Sequence, residues 1–246
     1  MKVCISVVIG CGKSECEDTA IFNETLVNNQ TMCINGDHLR CVGVADGVGG
    51  NAGGRIASRY IAHQFSKKEF RYLTEDGIRQ FTDDINAELI EYANTIPKKA
   101  EMATTLTCVV ATDDGYFLIH AGNTRLYVMQ GSYLKQLTTD HTTYNWLVEC
   151  GQYEAAEQCN KSEINCCLGG GNSRYANRLV VEKLFDTDFP DTLILTSDGV
   201  HEFVDVDFIE ETLATSKSDD VAAKLITDKA IQNGSTDDKT IAIIRR

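Results

Sequence analysis

Val42–Gly54 reads VGVADGVGGNAGG: an apolar, β-branched run that stops on Asp46, a loop of small residues, and then a helical pattern. A strand ending on a carboxylate and opening into glycines puts that carboxylate at a sheet edge, where the backbone is free enough for phosphate or metal to come close. Taken singly, the loop also fits a plain tight turn, or the dinucleotide fingerprint in its Gly/Ala form, Gly47-x-Gly49-x-x-Ala52. The fingerprint requires a second parallel strand after the helix, ending in an acidic residue about 20 positions on. Two helical patterns follow instead, so an oxidoreductase built on this loop is set aside.

Outward from this stretch, the first 46 residues read as antiparallel strands: Val3–Ile9, Asp18–Asn23, and the pair Thr31–Asn35 and Leu39–Ala45 around Asn35-Gly36-Asp37-His38, a hairpin signal. Downstream, apolar residues at helical spacing predict helices over Gly54–Lys67 and Glu75–Thr95, the second closed by Pro97. Asp83, Asp84, Glu88 and Glu91 read as its solvated face. A meander of strands is expected from Thr104 to Thr138, with a plain turn at Asp114-Gly115. Then come a short helix at Tyr144–Cys150, strands at Arg178–Phe185 and Thr192–Thr196, helices at Asp207–Leu213 and Asp220–Ile231, and a last strand at Thr240–Ile244. Sheet faces this apolar need covering layers, which the helices can supply.

The 246 residues are enough for one full core, and no repeat or low-complexity linker divides them, so one domain over 1–246 is expected. A net charge of -13 argues against nucleic acid and anionic membrane as partners. The ten cysteines show neither C-x-x-C pairs nor a regular framework. The apolar run Val3–Ile9 is short for a secretory signal, and nothing reaches membrane-spanning length. Reduced thiols and a cytoplasmic protein are therefore expected, with Cys166 and Cys167 as small buried apolar residues.

Three strands run up to, or start from, an aspartate: Asp46-Gly47, Asp198-Gly199 and Asp237-Asp238. Asp18 opens a fourth. Carboxylates at strand ends are oxygen ligands on rigid elements, as hard divalent cations need. No histidine or cysteine cluster has zinc spacing, which leaves Mg or Mn.

VADGVGG, AGNTRLYVM, LTTDHT, LILTSDGV and TDDKTIAII, in this order, resemble the motifs of the metal-dependent protein phosphatases of type 2C, bacterial branch, over nearly the whole chain. The resemblance implies an α+β fold, a central β-sandwich of two antiparallel sheets flanked by helix pairs, with a binuclear Mn or Mg centre at one end. It implies that Asp46 bridges both metals and the Gly47 carbonyl binds one, that Asp198 and Asp237 complete one shell, and that Asp18 with Glu17 holds the other ion through waters. The implied reaction is hydrolysis of phosphoserine and phosphothreonine by the metal-bridging water, without a phosphoenzyme. Phosphoprotein substrates, a cognate Ser/Thr kinase, a signalling role and a monomeric state are family-level expectations.

The chain departs from the family pattern at four places. Lys13, in Lys13-Ser14-Glu15-Cys16-Glu17-Asp18, stands where an arginine would grip the substrate phosphate, and lysine offers a point charge instead of a fork. Asn123 and Glu202 replace aspartates, which puts a third metal in doubt. Val48 follows Gly47, so no histidine stands there as an acid. His141, His201, Asp140 and Asp238 are expected to be structural or supporting groups. The alternative to an active phosphatase is a weakly active or inactive relative that binds phosphoproteins, supported by Lys13 and Asn123.

Overall fold

The computed structural model describes residues 1–48, 53–172 and 176–246. In chain order the elements are β1 (Lys2–Val8), β2 (Thr19–Phe22), β3 (Thr25–Val27), β4 (Thr31–Asn35), β5 (Cys41–Ala45), α1 (Gly54–Lys67) and α2 (Glu75–Thr95). There follow β6 (Ala103–Thr104), β7 (Leu106–Thr112), β8 (Gly115–Ala121), β9 (Arg125–Gln130), β10 (Tyr133–Gln136), α3 (Thr143–Glu149), α4 (Tyr153–Gln158), β11 (Leu168–Gly169) and β12 (Val180–Phe185). The chain ends with β13 (Thr192–Thr196), α5 (Asp198–His201), α6 (Val206–Thr215), α7 (Asp219–Gln232) and β14 (Lys239–Arg245).

Two six-stranded antiparallel sheets form, one in the order β10-β9-β13-β14-β1-β4 and the other β12-β8-β7-β5-β2-β3. Val3, Ile5, Val7, Val42, Val44, Val109 and Leu118 interdigitate between them. On the outer face of the second sheet Cys41, Cys108 and Ile119 meet Ile61 and Phe65 of α1 and Ile78 and Leu89 of α2. On the outer face of the first, Ile194, Ile241 and Ile243 meet Ile209 of α6 and Ile226 of α7. The layers are thus helix, sheet, sheet, helix, as the resemblance implies. Because each sheet is covered on both sides, its central strands read as near-continuous apolar runs.

The hairpin expected around Asn35-Gly36-Asp37-His38 does not form. β4 pairs with β1, and β5 with β2 and β7 in the other sheet. Burial explains the split: β4 alternates exposed and half-buried positions, as an edge strand does, whereas β5 is buried at all five and belongs in a sheet centre. The expected meander also breaks. β7–β8 and β9–β10 are hairpins, but the chain changes sheet between β8 and β9 at Gly122–Thr124.

Register also corrects the expectation that every thiol is reduced. Antiparallel pairing sets Cys4 directly opposite Cys33, 4.1 Å apart at Cα, and the two form a disulfide. The other eight cysteines are free, with Cys166 and Cys167 buried as expected. Among the described residues no helix is long and apolar enough to cross a membrane.

Candidate active site

Register gathers the motif aspartates at one end of the sandwich. β5 ends at Ala45, which pairs with Thr19, so Asp46 and Asp18 leave adjacent strands at the same edge. In the other sheet Thr196 pairs with Ile241 and Val8 with Lys239, bringing Asp198, Asp237, Asp238 and the loop from Ile9 to Glu17 to that edge. Thr196 also pairs with Arg125, which adds Asn123.

Asp18 is fully buried. Its Oδ2 accepts hydrogen bonds from the Ser197 hydroxyl (2.9 Å) and the Thr240 hydroxyl (2.6 Å), while its Oδ1 has no partner. Ser197 and Thr240 are also joined through their backbones (3.0 Å), so three motifs meet on one carboxylate. Half-buried Asp46 is fixed by its backbone: its carbonyl accepts from the Thr105 N–H (2.8 Å) and the Thr104 hydroxyl (2.9 Å). Gly47 N–H donates to the Glu17 carbonyl (3.2 Å), and a Cβ on Gly47 would lie 2.8 Å from Gly54 Cα. Only glycine lets the two ends of this loop close. Gly49 and Ala52, on which the dinucleotide alternative rested, lie outside the described residues.

Asp198 Oδ2 accepts from the Asn123 amide (3.0 Å), and its Oδ1 is buried without a partner. Burial pushes Asp18 up to about 7, with the charges of Asp238 and Asp198 adding to it. Asp198 is likewise pushed up to about 6, first by burial and then by Asp237. Burial holds Asp46 well above the usual carboxylate range, reinforced by Asp18, Asp198 and Asp237. Carboxylates crowded this way lack positive charge.

Lys13 supplies some of that charge. Its ammonium lies 2.5 Å from Asp237 Oδ1, 3.1 Å from Asp238 Oδ2 and 3.5 Å from Glu17 Oε2. Although burial works against the charge, the bonds to Asp237 and Asp238 hold Lys13 far above the ordinary lysine range. Buried Lys239 donates to the Asp237 backbone carbonyl.

All seven sequence-assigned residues (Lys13, Glu17, Asp18, Asp46, Gly47, Asp198 and Asp237) thus reach one end of the sandwich. Among the described residues no three His, Cys, Asp or Glu side chains stand ready-made as a metal-holding group. The donor chemistry nevertheless fits a hard cation: oxygen ligands, two of them orphaned in the interior at Asp18 and Asp198, with Lys13 holding Glu17 and Asp237 turned toward its own ammonium. Desolvated oxygen atoms without a hydrogen-bond donor cost free energy that a cation would recover.

Sequence reasoning left two supporting groups without a role, Ser197 and Thr240, although each lies inside a quoted motif, whereas Asp238 is the supporting group it was expected to be. Asp238 is buried and accepts from Gly10 N–H (2.7 Å), Glu17 N–H (2.8 Å) and Lys13. Asp140 holds the Arg125 guanidinium (2.7 and 3.0 Å), and a Thr196 hydroxyl contact (2.9 Å) fixes His201. The buried His141 ring accepts from Gly122 N–H (3.2 Å), and burial lowers its pKa to about 3, so it is a neutral structural group. Glu202 accepts from Ser162 (2.8 Å). Asp83, Asp84, Glu88 and Glu91 form an exposed face, as expected.

Gly199 makes a prediction of its own. A Cβ there would collide with the Asp238 carbonyl oxygen and lie 2.9 Å from its carbon. Gly199→Ala should therefore cost about 1–3 kcal/mol by overpacking and pry Asp198 from Asp237. Thermal melting checks this: a wild-type midpoint would show slack between β13 and β14.

The protein phosphatase 2C family model matches residues 28–227, which include Asp46 and Asp198. The serine/threonine phosphatase stp of Listeria monocytogenes is 29% identical over 222 residues, 86% of each chain. Two solved structures share the fold over 99% of this chain, each with a TM-score of 0.78. They are Stp1 from Staphylococcus aureus (24% identity, 94% of that chain) and PstP/Ppp from Mycobacterium tuberculosis (22%, 98%). With the family model covering most of the sequence and the motif aspartates meeting at one sandwich end, this chain belongs to the protein phosphatase 2C family.

Proposed function

We propose that the chain forms one catalytic domain over 1–246 that hydrolyses phosphoserine and phosphothreonine in proteins with two Mn or Mg ions. The observation that supports this best is the convergence of Asp18, Asp46, Asp198 and Asp237 at one edge, with unpartnered buried oxygens on Asp18 and Asp198. Bound there, the cations would neutralise a phosphate and lower the pKa of an attacking water.

The chain's own residues divide the remaining work. Asp46 and the Gly47 carbonyl would hold the ions from β5, Asp198 and Asp237 from the other sheet, and Asp18 with Glu17 from the first loop. Asn123 orients Asp198. Lys13, freed from Asp237, would bring a positive charge to the phosphate. As an amide donor, Asn123 offers Asp198 no help in holding a third ion. A cytoplasmic monomer opposing a Ser/Thr kinase is the setting that fits the family best.

The test is hydrolysis of p-nitrophenyl phosphate and of a phosphothreonine peptide. Turnover should require added Mn and vanish with chelator. No turnover while Mn still binds would overturn catalysis and favour the phosphoprotein-binding alternative.

A further inference from the structure

Beside the carboxylate cluster, on the side of α1, runs a groove of about 590 Å³. Arg55, Arg59 and His63 line it at successive turns of α1. Residues four apart on a helix stack on one face, about 6 Å of axial rise per step. Half-buried Leu26, Ile56 and Tyr60 lie against the core beneath, and Tyr60 stacks on Tyr92 at 5.8 Å.

The near end of this groove is joined to the active-site loop. Arg55 pairs with Glu15 at 2.5 Å, two residues before Glu17, and Arg55 follows Gly54, which packs on Gly47 and Glu17. The free cation is Arg59, which is exposed and forms no ion pair or hydrogen bond among the described residues. Glu15 also lines the groove and offsets Arg55, so on a chain of net charge -13 the unpaired charge of the lining is the single cation Arg59. It opposes the field that the remaining surface presents to anions.

We propose that this groove seats an acidic segment next to the phosphorylated residue of the substrate, with Arg59 pairing to an acidic side chain there. The inference rests on the phosphatase reading above and names the substrate class it favours. An extended peptide advances about 3.3 Å per residue, so the one or two helical turns from Arg55 to Arg59 and His63 span two to four substrate residues. The apolar floor covers the aliphatic parts of that segment, and Arg59 reads its charge. Complementary charge of this kind chiefly sets specificity and encounter rate.

The test compares phosphothreonine peptides bearing Glu or Lys two to four positions from the phosphothreonine, on either side, with each variant normalised to its Mn-dependent hydrolysis of p-nitrophenyl phosphate. The wild type should favour a Glu peptide in kcat/KM by about tenfold, since each exposed pair contributes up to about 1 kcal/mol and Lys substitutes repulsion for attraction. Arg59→Glu should erase or invert the ratio, and Arg59→Lys should keep most of it. Equal kcat/KM for the peptides in the wild type, or an undiminished ratio in Arg59→Glu, overturns the docking proposal alone. A wild type that hydrolyses neither p-nitrophenyl phosphate nor peptide overturns the phosphatase reading and this inference together.

Discussion

Asp46→Asn should abolish turnover and the response to Mn while leaving a folded protein. Asp46 stands where the carboxylates of both sheets meet, and the charges of Asp18, Asp198 and Asp237 all act on it. Its backbone is held by Thr104 and Thr105, independently of its side chain, so the amide should sit in the same place. The substitution removes one charge from a self-repelling group, and the metal-free fold should be no less stable. On the proposed function, what goes is the anion that two cations would share. Even partners outside the first ligand shell cost about 10–100-fold when removed, so activity should fall by at least about 100-fold.

Melting separates a lost ion from a lost catalytic step. An ion present at 100 times its Kd stabilises by about 2.7 kcal/mol, and in a domain of this size each kcal/mol moves the midpoint about 2–4 °C. Wild type should therefore gain about 5–10 °C from Mn, and Asp46→Asn little. If the variant keeps most of its turnover, or shows the full Mn shift, Asp46 is not the shared ligand.

Much of this site was legible before any coordinates because its residues sit inside short motifs whose local grammar is strict. β5 is buried on both faces and runs straight into Asp46, and α1 and α2 begin and end where periodicity and Pro97 put them. What failed was pairing. The Asn35-Gly36 turn looks like a hairpin locally, yet the edge-strand pattern of β4 and the central burial of β5 send them to different sheets. The bond between Cys4 and Cys33 was hidden for the same reason, since it depends on which strands are neighbours. Small elements such as β3 and α4 carry too few residues for a period to show. Lys13 was placed at the site by its motif, but its hold on Asp237, Asp238 and Glu17 depends on β1 lying beside β14.

That same neighbourhood makes Asp238 a residue whose loss should damage the fold. Only 2% exposed, it satisfies the N–H groups of Gly10 and Glu17 and shares the Lys13 ammonium, thereby tying the whole Ile9–Glu17 loop to β14. Asp238→Ala leaves two backbone donors without an acceptor, each worth about 1–3 kcal/mol when buried and unsatisfied. Lys13, partly exposed and still paired with Asp237 and Glu17, adds little. A loss of about 3 kcal/mol is expected, a large share of an ordinary stability of about 5–15 kcal/mol. The midpoint should fall by about 6–12 °C at the sensitivity of a domain this size. Asp238→Asn retains one acceptor oxygen and should fall between the two. Amide exchange sharpens the test, because Gly10 and Glu17 should lose protection in the alanine variant while the β13–β14 ladder keeps its own. A melting point within about 2 °C of wild type, less than 1 kcal/mol by the same conversion, would mean that the loop is held by something other than Asp238.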